Sequence, residues 1–124
     1  MKEIGGYFGL EELVSNEYYN ELIALNTGRN ALLYLIEARE IKRLFIPWLL
    51  CNSISDALKN NNFNFEYYSI DQNFKPIFDK KLGENEYLFL VNYYGQFTGN
   101  TLLEFKDKYK NIILDNTQAF FQRP

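Results

Sequence analysis

The sequence predicts an α/β fold, a mostly parallel sheet flanked by helices, and three observations carry that prediction. Apolar runs of strand length recur at "RLFIP", "FNFEYYSI", "EYLFLVNYYG" and "NIILD". Segments whose apolar residues repeat at helical spacing lie between them. The later runs are nearly continuous rather than alternating, as in strands covered on both faces and joined by right-handed crossovers.

The first helix follows from Ala31, Leu32, Leu35 and Ile36, which share one face between Asn26 and Glu40. "NTG" at 26–28 supplies a cap, so this helix starts near Gly28. "RLFIP" is a short buried strand ended by Pro47. Ile54, Ala57 and Leu58 then repeat at helical spacing after Asn52 and Ser53, giving a second helix that fades in the "NNN" run at 60–62. "FNFEYYSI" is the second strand. The polar stretch from Asp71 to Glu86, with Pro76 and Gly83, is a long connection, and "EYLFLVNYYG" is the third strand. Thr101 and Glu104 form a capping-box pair ahead of Leu102, Phe105 and Tyr109, so a helix follows. "NIILD" closes the series: Ile112, Ile113 and Leu114 read as a strand covered on both faces, with Asp115 emerging at its carboxyl end. Open α/β sheets bind ligands at that end.

At 124 residues, 47% hydrophobic and 18% aromatic, the chain is long and apolar enough for one ordered domain. Its ten tyrosines and eleven phenylalanines offer flat surfaces for a planar ligand or a partner, although most are expected in the core. The net charge is −3, with thirteen basic residues scattered among sixteen acidic ones. Without a basic stripe, nucleic-acid binding is not expected. "MKEIGGYFGLEELV" lacks the apolar core of a signal peptide and no run approaches a membrane span, so a cytoplasmic protein without membrane partners is expected. One cysteine, Cys51, permits no internal disulfide. The absence of histidine removes Ser-His-Asp triads, Cys-His pairs and ordinary zinc sites together. Carboxylates, amides, tyrosines, lysines and a bound cofactor remain to do chemistry.

Three segments could supply it. In "LNTGRNAL" a glycine-bearing turn opens directly into a helix, where unpaired N–H groups and the positive end of the dipole suit a phosphate. Arg29 opposes that dipole by about 0.3–1 kcal/mol, a penalty a bound anion would relieve. The plainer reading is an ordinary capped helix with a solvated arginine. In "VNYYGQ" the residues Asn92, Tyr93, Tyr94 and Gln96 could stack and hydrogen-bond at a ligand's edge, and Gly95 allows a sharp exit. A Tyr-rich strand end entering a turn is the plainer reading here. In "DNTQAF" the Asp115 carboxylate could pair with a protonated ring nitrogen and Gln118 could donate to another ring substituent. Alternatively, Asp115 only caps the following turn. Cys51, between a strand and a helix, reads as a small buried apolar residue with nothing that lowers its pKa, and is given no catalytic role.

Taken in this order, the segments resemble the fold-type I pyridoxal-phosphate enzymes, and most closely the DegT/StrS sugar-aminotransferase family. Thr27-Gly28-Arg29-Asn30-Ala31-Leu32 is similar to the family's "SGT.AL" phosphate turn, and Pro47 to Ser53 to its proline-led segment. Asn92-Tyr93-Tyr94-Gly95-Gln96 resembles "H.YGQ", and Asp115-Asn116-Thr117-Gln118-Ala119 resembles "DAAQA". The resemblance implies a partial aspartate-aminotransferase-like large domain. Within it Thr27, Gly28 and Arg29 would face the phosphate of pyridoxal 5'-phosphate, Tyr94 would border the cofactor, Asp115 would pair with the pyridinium nitrogen, and Gln118 would approach the phenolic oxygen. Two positions depart from the family: Arg29 replaces a small hydroxyl residue, and Cys51 falls near where an aromatic ring often covers the cofactor. The implied reaction passes an amino group from a small-molecule donor to a keto-sugar. The Schiff-base lysine of the family follows the "DAAQA" strand by several elements, so residues 1–124 read as the amino-terminal part of such a domain, inactive alone and prone to homodimerise or otherwise self-associate. Two other readings stand: a small non-enzymatic α/β anion-binding or interaction module, and a structurally incomplete product with no activity.

Overall fold

The computed structural model describes Tyr19 and residues 21–121. Helix α1 spans Gly28–Ala38, strand β1 Arg43–Pro47, helix α2 Asn52–Asn60 and strand β2 Phe65–Ile70. They are followed by β3 (Pro76–Ile77), β4 (Glu86–Val91), α3 (Gly99–Lys108) and β5 (Ile112–Asp115), with single 3₁₀ turns at Tyr93–Gly95 and Thr117–Ala119. The strands form one sheet in the order β3-β2-β1-β4-β5, parallel throughout except for β3, which runs antiparallel to β2. The α/β, mostly parallel fold is as the sequence predicts.

Alternation along the central strands divides the core into two layers. Leu44 and Ile46 of β1, with Phe89 and Val91 of β4, pack against Leu32 of α1 and Ile54 and Leu58 of α2. Their neighbours Phe45, Leu88 and Leu90 point the other way, onto Phe78, Tyr109 and the α3 residues Leu102 and Phe105. Both faces are therefore covered, which is why these strands read as continuous apolar runs. Two buried hydroxyls find backbone acceptors: Tyr68 donates to the Phe89 carbonyl at 2.7 Å and Tyr109 to the Phe78 carbonyl at 2.6 Å. Neither leaves a costly unpaired group in the core.

Four expectations are corrected. Helix α3 is capped by Thr98, whose side chain accepts from the Thr101 N–H at 3.2 Å, so Thr101 lies inside the helix and is buried. The 71–86 connection is not irregular throughout, because Asp71 accepts N–H bonds from Asn73 and Lys75, both at 2.8 Å, and turns the chain back to form β3. Strand β4 stops at Val91, and the "NYYG" that follows is a 3₁₀ turn. Strand β5 is covered on both faces only in part: Ile113 packs on one core layer and Ile112 and Leu114 on the other, but it ends the sheet among the described residues and all four of its residues are half-buried.

The strand order also fixes where a ligand can sit. The connection after β1 leads outward to β2, and the chain then returns to place β4 on the opposite side of β1. A crevice opens outside the carboxyl ends of β1 and β4, at the point where the winding reverses.

Candidate functional site

That crevice is a cleft of about 450 Å³ whose walls come from all the relevant elements. Thr27, Gly28 and Arg29 line it from the start of α1, Leu49, Cys51 and Ser53 from the β1–α2 junction, and Tyr93 from the end of β4. Asp115, Thr117 and Gln118 close it beyond β5. Residues at opposite ends of the described chain thus share one wall-to-wall space.

The Thr27 side chain caps α1 by accepting the Asn30 N–H at 3.2 Å, and its carbonyl accepts the Ala31 N–H at 3.0 Å. The N–H groups of Gly28 and Arg29 precede any intrahelical partner, as the first turn of every α-helix requires. Among the described residues neither finds another acceptor. Gly28 has ordinary helical backbone, so conformation does not demand glycine there. A Cβ at this position would meet nothing within 4 Å. The missing side chain leaves room against the bare N–H groups, and the Arg29 cation stands beside it without a protein carboxylate among the described residues. This is the donor set of an anion site.

Asp115 is held at the far wall. Its Oδ1 accepts the Thr117 N–H at 2.9 Å, which is the turn-capping role, while Oδ2 accepts no hydrogen bond among the described residues. Capping and ligand binding are therefore compatible in one carboxylate. Gln118 Oε1 accepts the backbone N–H of Tyr94 at 3.1 Å, which leaves its Nε2 as the donor on the cleft side. Behind this layer, Asn92 is buried and makes a chain of bonds: its Oδ1 accepts the Phe97 N–H at 2.9 Å and its Nδ2 donates to Asn116 Oδ1 at 2.7 Å. The two segments "VNYYGQ" and "DNTQAF" are stitched together by Asn92–Asn116 and Tyr94–Gln118. Sequence reading placed them at one sheet end; it did not foresee that they bond.

The tyrosine pair behaves differently from expectation. Tyr94 adopts a left-handed backbone, φ 53°, and its side chain is 72% exposed, packed on Phe74 rather than lining the cleft. It reaches the site only through its backbone N–H. Tyr93 is the lining residue, buried, with its hydroxyl donating to the Leu49 carbonyl. Burial, reinforced by the negative charge of Asp115, pushes the Tyr93 phenol up to about 12. It stays protonated and neutral at any physiological pH. Cys51 also departs from its reading: it is exposed in the cleft wall, and a hydrogen bond from the Ser53 side chain, then one from the Ser53 backbone, lowers its pKa.

Comparison with known proteins bears on the fold. No protein-family model matches the chain, and no curated protein matches its sequence. Among solved structures the chain is similar to a Burkholderia pseudomallei protein provisionally assigned as an aminotransferase, with TM-score 0.53 over 70% of this chain at 9% identity. The sheet and its helices share that fold. The chain spans 29% of the length of that protein. Among the described residues no helix is long and apolar enough to cross a membrane, and no group of three metal-ligating side chains gathers.

Proposed function

We propose that this chain is the cofactor-anchoring part of a pyridoxal-phosphate-dependent aminotransferase. The observation that carries the reading is the shared cleft: an anion-binding helix start and a half-satisfied carboxylate face it from opposite walls, at the switch point of an aminotransferase-like sheet. The groups present fit the cofactor. Thr27, Gly28 and Arg29 would hold the phosphate, with the space above Gly28 admitting its oxygens. Asp115 would take the pyridinium N–H on Oδ2, and the Gln118 amide would donate toward the phenolic oxygen.

Bound there, pyridoxal phosphate supplies an electron sink for cleaving a bond at the amino-bearing carbon. The residues of this chain do the rest by position and charge. Asp115 keeps the ring nitrogen protonated, Arg29 neutralises the phosphate, and the neutral Tyr93 hydroxyl ties the β1–α2 junction to β4 through Leu49. No lysine lines the cleft among the described residues, so the group that bonds the cofactor covalently is not one of these walls. The order of the motifs supports a DegT/StrS-like member, with a small amino donor and a nucleotide-linked keto-sugar as acceptor.

A second reading rests on one wall alone. The free N–H groups of α1 and Arg29 would serve any phosphate-bearing ligand in a non-enzymatic module. Calorimetric titration with pyridoxamine 5'-phosphate, which cannot bond a lysine, separates the two. We expect saturable binding that inorganic phosphate displaces, weakened several-fold by Arg29→Ala. Asp115→Asn keeps the Thr117 bond and should erase the preference for pyridoxamine phosphate over inorganic phosphate. Equal affinity for both anions in the parent chain would favour the simple anion module, and no saturable binding of either would remove both readings.

A further inference from the structure

We propose that Phe74 is a positioning residue for the cleft, setting the Gln118 side chain through Tyr94. Among the described residues, the left-handed positions not held by glycine are Glu40, Asn62, Phe74, Asn85 and Tyr94. Asparagine tolerates that backbone, whereas a bulky aromatic residue there is an outlier. The two aromatic outliers, Phe74 with φ 60° and Tyr94 with φ 53°, pack against each other. Such conformations persist where their surroundings over-determine them, and they gather at ligand sites.

Phe74 is fixed from behind. It belongs to the turn between β2 and β3, where Asp71 Oδ1 accepts the N–H groups of Asn73 and Lys75, both at 2.8 Å. The Asp71 N–H donates to the Lys75 carbonyl at 2.9 Å and the Phe74 N–H to the Asp71 carbonyl at 3.0 Å. Pairing of β3 with Ser69 and Ile70 closes the base of the turn. From there the Phe74 ring reaches past β1 to the turn that follows β4, with centroids 5.4 Å from Tyr93 and 5.6 Å from Tyr94.

Both contacts lead into the cleft. The Tyr94 N–H donates to Gln118 Oε1 at 3.1 Å, and that bond decides which end of the amide is left for a ligand. Tyr93 lines the cleft and donates its hydroxyl to the Leu49 carbonyl on the other wall. Phe74 is not among the lining residues, so whatever it does there it does through the tyrosines. Many apolar side chains could fill the space between these elements; a flat ring set against both tyrosines fixes where the Tyr94 N–H points. The consequence for a ligand rests on the cofactor reading above, in which the Gln118 amide donates toward the phenolic oxygen. A donor held in place favours the ionised oxygen and lowers its pKa.

The test has a ligand-free arm and a ligand arm, both on the 124-residue chain. In amide hydrogen exchange followed by NMR, Phe74→Leu should speed exchange of the Tyr94 N–H several-fold while the Leu88 and Leu90 N–H groups keep their parent rates. Phe74→Tyr, which retains the ring, should keep the parent protection at all three. Should Phe74→Leu fail to fold, Phe74→Gly decides in its place, since glycine takes this backbone without strain and carries no ring. In the second arm pyridoxamine 5'-phosphate is bound and its phenolic hydroxyl is titrated by near-ultraviolet absorbance. That pKa should rise in Phe74→Leu and in Gln118→Leu, and the double variant should go no further than Gln118→Leu alone, because the two act through one bond. Affinity for inorganic phosphate should hold in every variant. Parent-rate exchange at Tyr94 in the ringless variants, equal acceleration along the whole of β4, or additive pKa rises in the double variant would each overturn the proposal. A parent chain that binds pyridoxamine phosphate no better than inorganic phosphate would remove the cofactor reading instead, and the exchange arm would still decide whether Phe74 positions Gln118.

Discussion

At the amino ends of the central strands, charged side chains answer one another. Arg43 on β1 lies 3.4 Å from both Glu66 on β2 and Glu86 on β4, and Lys80 bonds Glu66 from the loop after β3. At the carboxyl ends, Arg29 and Asp115 line one cleft and neither has an ion pair among the described residues. The same sheet thus neutralises its charge at one end and leaves it available at the other. Left-handed backbone occurs at both ends: Glu40, Asn62 and Asn85 turn the chain into β1, β2 and β4 at the amino ends, while Tyr94 at the carboxyl end holds Gln118 in place. Strained residues persist where the surroundings over-determine them, and here a bond on each side of Tyr94 does so. The lesson is that an arginine is informative by what fails to meet it.

Breaking the core that both ends depend on should give the largest effect. Leu88 is completely buried between β1 and β5, and Leu88→Ala removes its methyl groups while leaving a cavity. We expect a loss of about 2–5 kcal/mol in urea unfolding, as for other large-to-small core changes. Phosphate affinity per folded molecule should not change, because no cleft residue is touched. A large stability loss with weakened anion binding would show the two are not separable.

Gly28→Ala sharpens the contrast in the opposite direction. The backbone there is helical and the new Cβ meets no atom, so stability should hold or rise by up to about 1 kcal/mol. The methyl group enters the space above the free N–H groups, however, so affinity for pyridoxamine phosphate should fall. A variant that is more stable yet binds less tightly marks a position kept open for a ligand. Unchanged affinity would make Gly28 an ordinary helix start.

Tyr93 joins the two functions. Tyr93→Phe removes the hydroxyl that the Leu49 carbonyl accepts, and should cost about 1–2 kcal/mol near neutral pH. The pH dependence has a definite sign. Folding raises this phenol from 10.0 to about 12, so the native chain keeps a proton that the unfolded chain releases. The stability tied to that proton is fully present below pH 10 and is lost as pH rises through 12. The phenylalanine variant lacks this loss, so the gap between the two proteins should narrow above pH 10; a gap that widens would reject the assignment.

Most of the fold was legible because its signals are local. "RLFIP" coincides with β1 residue for residue, and Asn26-Thr27-Gly28 marks the start of α1. What escaped depends on distance in space. Strand β3 exists only through its pairing to Ser69 and Ile70, and the edge position of β5 is a property of the sheet that three apolar residues before an aspartate do not announce. Helix α3 was misplaced because Thr101 and Glu104 imitate a capping box, while the real cap, Thr98, precedes a Gly-Asn pair that reads as loop. Within the site, the residue types of the phosphate turn and the Asp115 turn pointed to the walls of the cleft. The choice between Tyr93 and Tyr94 did not, because it turns on one left-handed residue. Cys51 was misread for a similar reason: its Ser53 hydrogen bond forms only once α2 begins beneath it.

The smallest effect should come from the end of the sheet where the charges already balance. Arg43 bridges β2 and β4, but its side chain is 37% exposed, and an exposed ion pair contributes about 0–1 kcal/mol after solvent screening and the entropy of holding long side chains. Its Nε is buried without an acceptor, which subtracts further from the bridge. Arg43→Met keeps the aliphatic stem against the strands and removes both the ion pairs and the unsatisfied N–H. We therefore expect a change within about 1 kcal/mol by thermal unfolding, shrinking further in high salt, with anion binding at the opposite end untouched. The salt series is the discriminating part: if Arg43→Met destabilises strongly and equally at low and high salt, packing rather than charge holds that end of the sheet together. A fall in phosphate affinity would mean instead that the Arg43 charge is felt across the sheet, and the division between a neutralised end and a binding end would not stand.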